Sequence, residues 1–108
     1  MKDIKIFTRV GLFNMNPVIE VYKNNTCIEN KKSTVQNLAK DIFSLSVKYD
    51  KQVSGVHLFG AKNFLSKVYT ELTSNFALND IQIFVNEERE IWQNIYAKYK
   101  KYIELKVK

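Results

Sequence analysis

An apolar run from Val53 to Phe59 stops at Gly60, and helical spacing begins at once with Phe64, Leu65, Val68, Tyr69 and Leu72. Two periods abutting across a single glycine leave few arrangements open. The first reads as a buried strand and the second as an amphipathic helix from about Ala61 to Asn75. A second uncharged run, Ile81 to Val85, follows after Phe76 to Asp80 and reads as a further strand inside a sheet. Strand, helix and strand in this order make a parallel crossover unit.

The chain before this unit has the other strand signature. From Ile4 to Phe13 the residues alternate, with Ile4, Ile6, Thr8, Val10 and Leu12 on one face and Lys5, Phe7, Arg9 and Phe13 on the other. Asn14 to Pro17 reads as a turn, Val18 to Tyr22 as a second strand, and Thr26 to Glu29 as a short third one. Asn24 and Asn25 form the hairpin turn between the last two, because both central residues must accept positive φ. Ser33 with Gln36 matches a capping box. Val35, Leu38, Ala39, Ile42, Phe43, Leu45 and Tyr49 then recur at helical spacing, with Asp50 to Gln52 linking this helix to the central strand. Near the end, Asn86 reads as a helix cap. Glu87, Glu88 and Glu90 suit the start of that helix, and Lys98, Lys100, Lys101, Lys106 and Lys108 suit its far end. Ile91, Trp92, Ile95, Tyr99, Tyr102 and Ile103 supply its apolar stripe.

The expected fold is therefore mixed α+β in one domain over 1–108: a three-stranded antiparallel meander, then helix, strand, helix, strand, helix. This order of elements resembles the ribonuclease-H-like fold, in which a meander is extended by parallel strands with helices against the sheet. The resemblance spans nearly the whole chain as an order of elements and not as a motif; a ferredoxin-like or other α+β arrangement carries much of the same string. It implies a site where carboxylates on the first strand, the first helix and the end of the fourth strand hold two metal ions. Only Asp3, at the start of the first strand, and Asp41, on the first helix, stand at such places. The fourth strand ends in His57-Leu58-Phe59-Gly60, so the expectation is no catalytic residue, no bound metal and no cofactor.

Composition narrows the function classes. Lys and Arg number 17 against 11 Asp and Glu, a formal charge of +6, which favours an anionic partner if the surplus clusters. Fifteen of the 17 are lysines, and Arg9 and Arg89 are the only arginines, whereas readers of phosphate and base edges favour the arginine fork. Abundant Lys, Asn, Ile, Phe and Tyr also fit an AT-rich genome, which raises lysine without any function. Cys27 is the only cysteine, so a reducing compartment is expected. No leader pattern and no apolar run of about 20 residues is visible, giving the expectation of a cytoplasmic protein without a membrane span.

Three groups of residues are candidates for binding. Gly60, Lys62 and Asn63 lie at a strand-to-helix turn, where helix amides can hold an anion or ligand, although a plain turn needs the same residues. Lys5, Arg9 and Lys23, interleaved with Phe7 and Phe13, together with Lys98 and Lys101, are candidates for nucleic acid; solvated strand and helix faces look alike. Trp92, Tyr96 and Tyr99 are candidates for a partner surface, or for docking the last helix. His57, the only histidine, is a possible base without a nameable acid. The leading expectation is a non-enzymatic binding protein that takes another protein or a copy of itself, from an AT-rich bacterium or one of its phages or mobile elements. The alternatives are nucleic-acid binding through basic faces, or a degenerate ribonuclease-H-like nuclease using Asp41, His57 or Glu20.

Overall fold

The stretch with two periods folds as its spacing predicts, into a strand that hands over to a helix at Gly60. A computed structural model describes residues 2–10, 16–76, 78 and 80–87. The elements are β1 (Ile4–Val10), β2 (Val18–Lys23), β3 (Thr26–Lys32), α1 (Leu38–Tyr49), β4 (Val53–Gly60), α2 (Lys62–Thr70) and β5 (Gln82–Glu87). They build one mixed sheet in the order β3-β2-β1-β4-β5. β1–β2 and β2–β3 are antiparallel, while β4 runs parallel to both β1 and β5. The architecture is thus α+β, with an N-terminal meander extended by two parallel strands.

The registers settle which side chains share a face. Ile6 sits opposite Val21 and Val56, and Thr8 opposite Leu58, so these residues look toward the helices. With Ile4, Val10, Ile19 and Val53 they meet Leu38, Ala39, Ile42 and Leu45 of α1 and Leu65 and Val68 of α2 in one buried cluster. Both helices therefore cover the same side of the sheet. Truncating a residue such as Ile6 or Leu58, both fully buried, to Ala costs about 2–5 kcal/mol through lost transfer energy and the cavity left behind. Thr8 is the polar member of this face; its hydroxyl donates to the Val18 carbonyl at 3.2 Å, so its burial leaves no orphan group.

Several local expectations are corrected. The capping box does not form. Ser33 is buried and donates its hydroxyl to Asp41 Oδ2 at 2.6 Å, while the Asn37 amide donates to Thr34 Oγ1 at 3.2 Å. The bond to Asp41 draws Ser33 toward α1, Thr34 closes a turn with Asn37, and α1 begins only at Leu38, with no side-chain cap at Asn37. β3 continues past Glu29 to Lys32 because β2 offers it a ladder as far as Val18. Of the two hairpin asparagines only Asn24 takes positive φ, at 56°. α2 ends in a wider, π-type turn over Glu71–Asn75.

Among the described residues β5 is an edge strand and not an interior one. The uncharged run Ile81 to Val85 packs Ile83 toward the core and Phe84 against the His57 ring. Asn86 belongs to β5, where its side-chain amide donates to the Leu58 carbonyl at 3.3 Å, so it does not open a helix. No helix among the described residues is long and apolar enough to cross a membrane.

Candidate functional site

The opposite face of the sheet carries no helix among the described residues. On this open face the side chains lie in transverse rows set by strand register. Glu20, Phe7, His57 and Phe84 sit opposite one another across β2, β1, β4 and β5, forming the middle row. Tyr22, Lys5, Gly55 and Gln82 make the row on one side of it. Arg9, Phe59 and Asn86 make the row on the other.

The middle row is a ladder of stacked rings. Phe7 and His57 lie with centroids 4.7 Å apart and planes 17° from parallel. His57 and Phe84 lie 4.5 Å apart at 6°. Tyr22 meets Phe7 edge-on at 5.4 Å. The sheet itself brings these rings together, because adjacent strands are about 4.8 Å apart and side chains on opposed positions stand within contact of one another. His57, stacked on both sides, consequently turns its edge and not a face toward solvent, while Phe84 ends the row with one stacked neighbour. At the next row the Arg9 guanidinium covers Phe59, 5.6 Å from its centroid.

Electrostatics reinforce this apolar character. His57 has its pKa lowered, first by partial burial and then by the Lys5 charge, which favours the neutral imidazole between the two phenyl rings. Tyr22 donates its hydroxyl to Glu20 Oε2 at 2.6 Å, and the carboxylate pushes the phenol pKa up to about 12. Lys5, Phe7, Arg9, Glu20, Tyr22 and Phe59 line a concavity of about 470 Å³. Its rim carries both signs of charge, and its floor is aromatic.

Of the expected nucleic-acid residues, the structure brings Lys5 and Arg9 together beside Phe7. Lys23 is not with them: it lies opposite Ile4, so its position belongs to the helix side of the sheet. Phe13 lies outside the described residues, as do Trp92, Tyr96, Tyr99, Lys98 and Lys101. Six of the chain's 17 cations and three of its 11 acids fall in residues 88–108.

The strand-to-helix turn has a structural account. Gly60 has φ +146°, and a β-carbon there would lie 1.6 Å from the Val10 carbonyl oxygen, so only glycine fits. The Ala61 amide donates to that same carbonyl at 3.2 Å, which occupies the first amide an anion would use. Lys62 and Asn63 are exposed.

The three groups proposed for nuclease chemistry are dispersed. Glu20 and His57 flank Phe7 on the open face, whereas Asp41 sits across the sheet with Ser33 and with the Lys31 ammonium 3.2 Å away. Among the described residues no three His, Cys, Asp or Glu side chains gather where they could hold a metal ion.

No family model matches the chain, and no curated protein matches it in sequence.

The ring ladder is the feature that sequence reasoning missed. Phe7, His57, Phe59 and Phe84 were each visible, but their assembly depends on β1, β4 and β5 being neighbours in one register. The period-2 placement of Phe7 with Lys5 and Arg9 was the only signal that pointed toward it.

Proposed function

We propose that this is a small binding protein without catalytic activity, which docks another protein on the open face of its sheet. One observation carries the reading: an aromatic ladder, Phe7–His57–Phe84, stands half-exposed between Tyr22 and Phe59. Interface centres are rich in such residues, with a polar rim around them, and Lys5, Arg9 and Glu20 make that rim here.

Nucleic-acid binding is the second reading, favoured by Lys5, Arg9 and the net charge of +6. Base stacking needs free ring faces. Both faces of His57 are taken by Phe7 and Phe84, and Phe59 lies under Arg9, so the middle of the ladder presents ring edges to a ligand. Edges suit aliphatic side chains and backbone better than flat bases.

The strand order and the meander extended by parallel strands support a ribonuclease-H-like assignment of the fold, which we also propose. The dispersal of Asp41, Glu20 and His57 supports binding over nuclease chemistry.

The test compares immobilised wild type with Tyr22→Glu and Phe59→Glu variants, and with Lys62→Glu as a control on the far side. A protein retained by wild type and control but lost by both face variants supports the reading. Retention unchanged in the face variants overturns it. A low-salt gel shift with single-stranded DNA, lost in Lys5→Glu, transfers the face to the second reading.

A further inference from the structure

We propose that β5 is a self-pairing edge, through which two copies of this chain join their sheets about a twofold axis. This rests on the reading of the protein as a binding protein and names a second copy as one of its partners.

The two edges of the sheet differ in how they are protected. β3 carries Glu29, Lys31 and Lys32 and a register shift opposite Val21 and Tyr22. Glu29 is tied to Lys48, and Lys31 to Asp41, so charge covers that edge. Charged side chains and irregular ladders are how edges avoid joining other sheets. β5 has none of these devices. Its sequence, QIFVNE, contains no lysine and no proline, and its one charge comes at the last residue. Phe84 is 37% exposed on the open face and Val85 is 45% exposed on the helix side. Among the described residues no strand pairs with its outer edge.

The sequence of β5 is also complementary to itself. In antiparallel pairing about an axis normal to the sheet, residues on the same face must meet, which restricts the register to even steps. Centred on Phe84, the pairing sets Phe84 against Phe84 of the second copy, Ile83 against Val85, and Gln82 against Asn86. Glu87 then faces Ile81, and between Ile81 and Glu87 no like charges meet. Moving the centre to Val85 sets Ile83 against Glu87, and moving it to Ile83 sets Phe84 against Gln82. Only the Phe84-centred register pairs aromatic with aromatic, aliphatic with aliphatic and amide with amide. It also extends the ring ladder: Phe7, His57 and Phe84 of one copy continue into Phe84, His57 and Phe7 of the other, and the open faces become one surface.

The experiment uses the full chain with Cys27→Ser, which removes the exposed native thiol. Light scattering after size exclusion is expected to give twice the monomer mass, and Val85→Lys, a charge at an already exposed position, to return it to one. Mild oxidation of Phe84→Cys in the same background is expected to give a covalent dimer, and Lys62→Cys none. Gln82→Cys with Asn86→Cys provides the same readout if Phe84→Cys fails to fold, since the pairing sets these positions opposite each other. A monomeric wild type overturns the pairing, as does a dimer that survives Val85→Lys. If that surviving dimer cross-links through Tyr22→Cys, the β5 pairing fails while the open face stands as a docking surface. If the chain is monomeric yet its retention of a protein is abolished by Phe59→Glu, the outcome is the same.

Discussion

The His57 imidazole lies face to face with the Phe84 ring, 4.5 Å between centroids and 6° from parallel, with Phe7 on its other side. A neutral imidazole is at home between two phenyl rings, but an imidazolium there loses hydration and faces the Lys5 charge. Lowering the folded pKa below the ordinary value of 6.5 makes the unfolded chain bind more protons in acid. Stability therefore rises with pH between the folded and unfolded values, and falls as pH drops below about 6.5.

The first prediction uses that slope. His57→Phe keeps a ring in the ladder and removes the titration. Urea denaturation between pH 7.5 and 5 is expected to show wild type losing stability and the variant losing less. Equal slopes in both would mean that His57 is not held neutral.

What was legible in advance depended on whether a signal was local. Gly60 between two periods located β4 and α2, and alternation from Ile4 located β1, because both patterns are consequences of side-chain geometry within one element. Ser33 was misread because its partner, Asp41, comes from the next element, and a sequence window shows only the nearby amide. Grouping Lys23 with Lys5 and Arg9 fails because the side of a strand residue is known only once its partner is, and that partner is Ile4. The run in β5 does not tell an edge strand from an interior one, because an uncharged run looks the same whether both faces are covered or the edge is bare. The ladder itself needed the registers of three strands at once.

A second prediction concerns the tie between β3 and α1. Glu29 accepts from the Lys48 ammonium at 2.7 Å and from the Tyr49 hydroxyl. These bonds hold its carboxyl below the ordinary 4.5, the Lys48 bond contributing most. A lowered carboxylate stabilises the fold above its unfolded pKa, and that contribution disappears as pH falls through the folded value. Glu29→Gln is expected to lower the urea midpoint at pH 7 and to leave it close to wild type at pH 3. The effect should be modest and salt-sensitive, since Lys48 is well exposed. A midpoint difference that persists undiminished at pH 3 would show that the Glu29 charge is not its cause.

Asp50 ends α1 with φ 43° and ψ −118°, a backbone region costly for any residue with a β-carbon. The Asp50 backbone amide donates a hydrogen bond to the Ser46 carbonyl, an interaction that does not need the side chain. Asp50→Gly is expected to raise stability by about 1 kcal/mol, the relief of strain exceeding the entropy that glycine adds to the unfolded chain. Thermal denaturation checks it; a lower midpoint in the variant would contradict the strain.

Two glycines in β4 separate a tolerant position from an intolerant one. A β-carbon at Gly55 would meet Phe84 Cε2 at 2.9 Å, the outer part of a half-exposed ring on an edge strand, and His57 Nε2 at 3.4 Å. That ring can move, so Gly55→Ala is expected to cost about 1 kcal/mol or less and to disturb the ladder, seen as a changed His57 chemical shift and pKa by NMR. At Gly60 the obstacle is the Val10 carbonyl, 1.6 Å from the β-carbon position and itself hydrogen-bonded to the Ala61 amide. Neither backbone can yield without breaking the β1–β4 ladder at its end, and φ +146° adds strain of its own. Gly60→Ala is expected to cost about 3 kcal/mol or more, enough to leave the chain largely unfolded or much less stable by circular dichroism. A Gly60→Ala protein as stable as Gly55→Ala would mean that the handover from β4 to α2 does not use this close approach.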